Sequence, residues 1–212
     1  GLPIEVLVGS GNNGGDALVA VMHLVERGHA VVVRGDASRE PLAADALAVH
    51  RQWRARGGGF EPLSGLADAL ARAPSAPLVI DGLFGIGLTR PIGGEAAKAI
   101  AVLGQSDAPV LAVDIASGLD ADRGVVVGGA AGVAVSATHT CTFIADKPGL
   151  RTADGPRLSG TIECDGLGVA VGSDVPQGVL IDTDHVRRIT RRRAPTGHKG
   201  TFGSVLVIGG AP

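Results

Sequence analysis

A chain of 212 residues with 45% apolar content suits one full α/β domain plus an appendage, with enough apolar mass for a sizeable core. A net charge of −2 excludes a global basic field that would recruit nucleic acid or membrane, and four Phe, one Trp and no Tyr argue against an aromatic platform for single strands. The 34 glycines have no three-residue period, which excludes collagen; they mark the ends of apolar runs, where tight turns and close ligand approach need them.

Ile4–Val8 is a short apolar run closed by Gly9, the pattern of a buried strand. Leu18, Val21, Met22 and Val25 recur at helical spacing, so a helix is predicted over 16–27, stopped by Gly28. A strand at 30–33 and a helix over 41–56 come next, the latter with Leu42, Ala46, Leu47 and Val49 on one side. A third helix, 63–73, precedes the apolar run 78–80. A glycine-rich loop at 82–94, a helix at 95–103, a strand at Val110–Val113, a loop at 114–124 and a strand at 138–144 complete the pattern. Strands alternating with helices predict a parallel sheet covered on both faces. In such sheets ligands bind outside the carboxyl ends of the strands, and the three richest polar loops, 9–16, 81–91 and 114–124, all follow strands.

The two cysteines, Cys141 and Cys164, have neither disulfide nor zinc spacing and sit in strand-like runs, so buried thiols are expected. No uncharged run of 18 apolar residues and no signal peptide are visible, so no membrane span is expected and a cytoplasmic location follows by default. Residues 187–199 carry six Lys or Arg and no acid; without interleaved aromatics they read as a solvated linker. Ser204-Val-Leu-Val-Ile208 reads as the first strand of a second α/β domain, so a fragment of a longer protein is expected.

Gly9-x-Gly11-x-x-Gly14 follows a strand and precedes a helix, with Asp36 about 20 residues on. Free backbone N–H groups and the positive helix end favour phosphate there. Asn12, Asn13 and Asp16 lie inside this turn, and an acid beside a phosphate calls for an intervening cation. An oxygen-rich loop suits a hard cation, and Asn13 offers an amide oxygen; left-handed turn geometry explains the Asn pair equally well. Asp81 ends the run 78–80, where a carboxylate is expected to face the cleft and to need a cation or donors. Gly85 and Gly87 would let backbone amides approach a phosphate, while Arg90 reads as a solvated side chain. Asp114, at the end of the next strand, is the general acid or base candidate by position. Asp120 and Asp122 read as local Asx caps. Lys147 either reaches the same cleft or lies on the surface.

Gly-x-Gly-Asn-Asn-Gly-Gly-Asp, Asp-Gly-Leu-Phe-Gly-x-Gly-Leu-x-Arg-Pro, Val-Asp-Ile-x-Ser-Gly-Leu-Asp-Ala-Asp and Lys-Pro-Gly, in this order over about residues 4–170, resemble the NAD(P)H-hydrate epimerase family and its YjeF N-terminal domain. The stretch 197–210 resembles the start of the partner domain, an ADP- or ATP-dependent dehydratase. The resemblance implies a Rossmann-like three-layer α/β/α sandwich at 1–175 without its first helix, a linker at 176–200 and a truncated dehydratase domain from 201. It implies epimerisation of R and S NAD(P)HX, a homo-oligomer, a dehydratase domain in cis and one potassium ion per site. Asn13, Asp81 and Ser117 would hold potassium. Asn12, Asn13, Gly14, Gly15 and Asp16 would bind the nucleotide. Gly85, Ile86, Gly87, Leu88, Thr89, Arg90 and Pro91 would wrap its phosphates, and Asp114 would meet the hydrated ring, with Lys147 as its partner. Ser10, Ala17 and Ala116 depart from the family pattern of Pro, Gly and Pro.

Two other readings stand beside this one. An NAD-dependent dehydrogenase shares the glycine-rich turn but would need a hydride acceptor site. A non-catalytic binding module would not need Asn13, Asp81, Asp114 and Ser117 together. The pair Arg34 and Asp36 leaves the choice between NADH and NADPH forms open.

Overall fold

The computed structural model describes residues 3–36, 38, 43–73, 75–170, 179–190 and 206. Two compact units emerge, Gly1–Val171 and Gly172–Pro212. The predicted linker and second-domain start fall mostly outside the described residues. Within the second unit, Asp182 caps a short helix, Thr183–Ile189, by accepting from the His185 N–H.

Six strands form one all-parallel sheet: β1 (Ile4–Val8), β2 (Val31–Arg34), β3 (Val79–Gly82), β4 (Val110–Val113), β5 (His139–Phe143) and β6 (Thr161–Asp165). Their order is β2-β1-β3-β4-β5-β6, so the chain leaves β1 in one direction and later returns to build in the other. A crevice opens at that reversal, between the carboxyl ends of β1 and β3. The run 2-1-3-4-5 is that of flavodoxin-like sheets, extended by one strand, and not the 3-2-1-4-5-6 order of the dinucleotide-binding dehydrogenases.

Successive β1 residues point to opposite faces, and both faces are covered. Val6 and Val8 pack with Leu18 and Val21 of α1 (Asn12–Glu26), and with Val49 and Trp53 of α2 (Ala44–Ala55). Leu7 packs on the other side with Leu66 of α3 (Leu66–Arg72) and Ile100 and Leu103 of α4 (Gly94–Leu103). The three layers expected from the alternation are therefore present. A third cluster, Ile115, Leu119, Leu150 and Leu158, sits between the loop after β4 and two short helices, α5 (Pro148–Arg151) and α6 (Gly155–Ser159).

Several elements differ from the expectation. Helix α1 starts at Asn12, not Asp16, so the turn shrinks to Gly9-Ser10-Gly11. The first N–H groups of a helix need no intrahelical partner, which lets Asn and Gly occupy that first turn. Helices α5 and α6 were not predicted, and the strand-like run around Cys164, absent from the predicted order of elements, forms β6, an edge strand whose residues are mostly exposed. That position also overturns the buried-thiol expectation for Cys164, which is exposed, while Cys141 is half-buried.

An ion pair is buried on the sheet. Arg34 on β2 donates from Nε to Glu5 Oε2 on β1 at 2.6 Å and from Nη2 to Oε1 at 3.4 Å, and its Nη1 donates to the Pro62 carbonyl. Arg34 therefore serves the sheet and carries no information about a nucleotide 2′-phosphate. Removing one partner strands a buried charge, so Arg34→Ala should cost about 3–5 kcal/mol in denaturant unfolding. The double replacement Glu5→Leu with Arg34→Met should recover most of that loss. Equal losses for single and double variants would show that the pair does not act as a unit.

Candidate active site

Three close backbone approaches shape the floor of the crevice. A Cβ on Gly9 would lie 1.8 Å from the Leu83 carbonyl oxygen, and one on Gly14 would lie 1.9 Å from the Gly9 carbonyl oxygen. A Cβ on Gly82 would meet that of Ala17 at 2.4 Å. Gly82 thus makes room for Ala17, one of the departures from the family pattern. A Cβ on Gly11 would have nothing within 4 Å, so this second glycine of the motif faces open space. The division of labour follows the dinucleotide-binding turn: first glycine for the turn, second for ligand approach, third for helix packing. Gly11 caps α1 without any side-chain hydrogen bond, and no acid stands in the first turn, which leaves the N–H groups there open to an anion.

A cleft of about 1700 Å³ opens over this floor. Asn12, Asn13 and Asp16 line it from α1, Gly85, Ile86, Gly87, Leu88, Thr89, Arg90 and Pro91 from the loop after β3, and Asp114 and Lys147 from the segments that follow β4 and β5. All of these were singled out in the sequence. Gly14 and Gly15 are not in the lining: Gly14 packs on Gly9, and Gly15 sits against Ala46 where α1 meets α2. Arg90 is exposed, as expected of a solvated side chain, but stands within the lining. Asp36 lies at a separate cavity of about 320 Å³ and accepts from the Ser38 N–H and Oγ. It is not part of the main cleft.

Asp81 departs from its expectation. It is fully buried beneath the crevice instead of facing it. Its carboxylate finds donors: Ser117 N at 2.8 Å, Ser117 Oγ at 2.6 Å and Leu83 N at 3.2 Å. Burial pushes this carboxyl above the usual range, against the downward pull of those donors. The Phe84 N–H donates to Ser117 Oγ at 2.9 Å, so Asp81 and Ser117 together tie the loops after β3 and β4.

Asp114 has φ of 65°, a left-handed backbone conformation that Asp tolerates better than most residues. This turns the chain sharply as β4 ends and leaves the carboxylate at the cleft wall. Lys147 Nζ donates to Asp114 Oδ1 at 2.5 Å, to Thr142 Oγ1 at 2.7 Å and to the Phe143 carbonyl at 2.8 Å. Thr142 Oγ1 and the Phe143 N–H also donate to Asp114 Oδ1, at 3.2 and 3.1 Å. Of the two readings of Lys147, the cleft position is the one observed. Thr142 and Phe143 are functional neighbours that the sequence did not reveal; their role arises from pairing between β4 and β5. Asp120 forms the expected local cap, accepting from Asp122 N and Arg123 N.

The donor set for a hard cation can be judged from one orphan. Asn13 is buried, and its Nδ2 has no hydrogen-bond partner. Turning that amide over exchanges nitrogen for oxygen and leaves a bare carbonyl oxygen in its place. Its side chain abuts Gly85, in the same turn whose Leu83 and Phe84 amides bond Asp81 and Ser117. Amide, carboxylate and hydroxyl oxygens gathered under one turn fit a hard cation. Among the described residues no cluster of three His, Cys, Asp or Glu suits a softer metal.

The family model for YjeF-related protein N-termini matches residues 2–149. This chain belongs to that family. The NAD(P)H-hydrate epimerase of Achromobacter xylosoxidans is 41% identical over 170 residues, covering 80% of this chain and 77% of that protein. The bifunctional NAD(P)H-hydrate repair enzyme of Leishmania major is 34% identical over 214 residues, and this chain spans 97% of its own length but 37% of that protein. The crystal structure of the yeast protein ynu0 (YNL200c) matches with a TM-score of 0.62 at 20% identity, covering 95% of this chain and 75% of that one, which supports the fold. No helix among the described residues of this YjeF-type chain is long and apolar enough to cross a membrane.

The contact at Gly14 provides a test of the floor. Gly14→Ala should destabilise the fold by about 1–3 kcal/mol or more, because backbone and not a flexible side chain blocks the added methyl. Gly11→Ala should be nearly neutral in the same thermal or denaturant melts. Comparable melting of both variants would contradict this assignment of the two glycines.

Proposed function

We propose that this chain interconverts the R and S epimers of hydrated NADH and NADPH. The carrying observation is the clamped Asp114 carboxylate on the wall of a cleft that also opens onto the uncapped start of α1. The printed names of the Achromobacter and Leishmania relatives support the same reaction. The cleft has room for a whole dinucleotide, the N–H groups of α1 and the turn around Gly85 and Gly87 suit its phosphates, and Arg90 adds a positive charge at the rim.

In this reading Asn12, Asn13 and Asp16 hold the nucleotide from α1, and Gly85 to Pro91 close over the phosphates. Gly14 and Gly15 act indirectly, by letting α1 sit close to β1 and α2. Asp114 meets the hydrated ring as a proton acceptor. Asn13, Asp81 and Ser117 would hold a potassium ion, which when bound supplies a fixed positive charge beside an anionic ligand. The reading brings with it a homo-oligomer in the cytosol and a dehydratase domain in cis, for which ADP or ATP would be the nucleotide.

Asp114→Asn should abolish epimer exchange, followed by chromatography of the two epimers, while nucleotide binding survives. Equal exchange rates in variant and wild type would sink the role given to Asp114. Potassium should raise the melting temperature of the wild type, and exchange should slow when a bulky organic cation replaces it. Asn13→Ala should lose the potassium-dependent part of the melting shift. A shift unchanged in that variant would remove Asn13 from the ion site.

A further inference from the structure

Under the epimerase reading, on which the proton donor assigned below rests, exchange must handle protons at two places. In one route an acid protonates the ring hydroxyl and water leaves as the ring nitrogen's lone pair forms an iminium. Water then adds to the opposite face while a base removes one of its protons. In the other route a base takes the hydroxyl proton as the carbon–nitrogen bond opens to an aldehyde, the nitrogen side is protonated, and ring closure reverses both transfers. Each route balances with no oxidation or reduction. Each needs a donor and an acceptor held apart.

Asp114 is built as the acceptor. Lys147 Nζ, Thr142 Oγ1 and the Phe143 N–H all donate to its Oδ1, so the carboxylate is held at the cleft wall as an acceptor. Lys147 is not a free donor. An ammonium has three N–H bonds, and they go to Asp114, Thr142 and the Phe143 carbonyl. Among the other described titratable side chains of the cleft, Asp146 is held by Arg151 at 2.7 Å, His23 pairs with Glu26 at 3.4 Å, and Arg90 stays charged. Asp16 remains. It lies one turn beyond Asn12 on α1, lines the same cleft as Asp114, and has no hydrogen bond or ion pair to another described residue through its carboxyl.

We infer that Asp16 is the proton donor opposite Asp114, so that carboxyl groups from two walls serve the two faces of the ring while Lys147 and Thr142 position Asp114. Partial loss of hydration within the cleft, and then the negative charge of Asp114, hold the Asp16 carboxyl above its usual range, the direction that a donor requires.

Asp16→Asn keeps the size and removes the proton. With NADHX as the probe, kcat for exchange should fall by about 100-fold or more, while the dissociation constant for S-NADHX stays within about threefold. Asp16→Glu should restore part of kcat. Loss of binding large enough to account for the whole loss of exchange would leave Asp16 a nucleotide contact and nothing more, and would overturn the inference, as would an unchanged kcat. Melting curves of the variants should match the wild type, since Asp16 is exposed. Wild-type protein that fails to speed exchange would instead defeat the epimerase reading itself, so the two failures are told apart by the control.

Discussion

No side chain fits at Gly9, Gly14 or Gly82, where β1, β3 and the start of α1 meet, and the rest of the site depends on that. Gly9, Gly14 and Gly82 bring three backbones into van der Waals contact. The approach seats α1 low over the sheet, with its N–H groups directed at the crevice where the strand order reverses. A helix set higher by one methyl group would move Asn12, Asn13 and Asp16 together, because all three ride on its first turns. Glycine here supplies closeness, not flexibility: Gly9, Gly14 and Gly82 are absent from the positive-φ residues.

The loops above this floor are held by carboxylates in contrasting settings. Asp81 lies beneath the site with three donors and no exposure, and it serves as a bracket between the loops after β3 and β4. Asp114 stands at the wall, its Oδ1 saturated by donors from β5 and Lys147. Asp16 lies on the helix, exposed and without a partner among the described residues. Three carboxyl groups of the same chemistry are thereby placed in different surroundings: one braces two loops, and under the epimerase reading one would accept a proton and one would donate it. The left-handed backbone at Asp114 belongs to the same design, since an extended residue there would continue β4 and not turn the chain.

The alternation of strands and helices was legible because parallel strands buried on both faces read as apolar runs, as Val6 to Val8 and Val110 to Val113 do. The polar loops at strand ends were legible for the same reason: they interrupt those runs. Edge strand β6 was not, because Ile162 is its one large apolar residue and the other four positions are exposed. The bracket role of Asp81 was also invisible. A carboxylate at a strand end normally meets solvent, and only the return of Ser117 from 36 residues away encloses it. The pair Glu5 and Arg34 escaped for a similar reason, since strands β1 and β2 bring them together across 29 positions.

The same distinction explains why the glycine-rich turn alone is a poor guide to chemistry. Its spelling matches the dinucleotide-binding motif, and its three glycines perform the corresponding mechanical tasks. Yet Asp36, the residue that would complete that motif at a ribose, opens onto a different cavity, and the sheet has the other strand order. The turn specifies where a phosphate can rest. Under the epimerase reading, what happens to the ligand would be decided beyond the ends of β4 and β5, where Asp114 and Lys147 meet, and by Asp16, which lines the same cleft from the first coils of α1. A shared cradle is therefore compatible with hydride transfer in one sheet and proton transfer in another, according to which side chains the neighbouring strands place beside it.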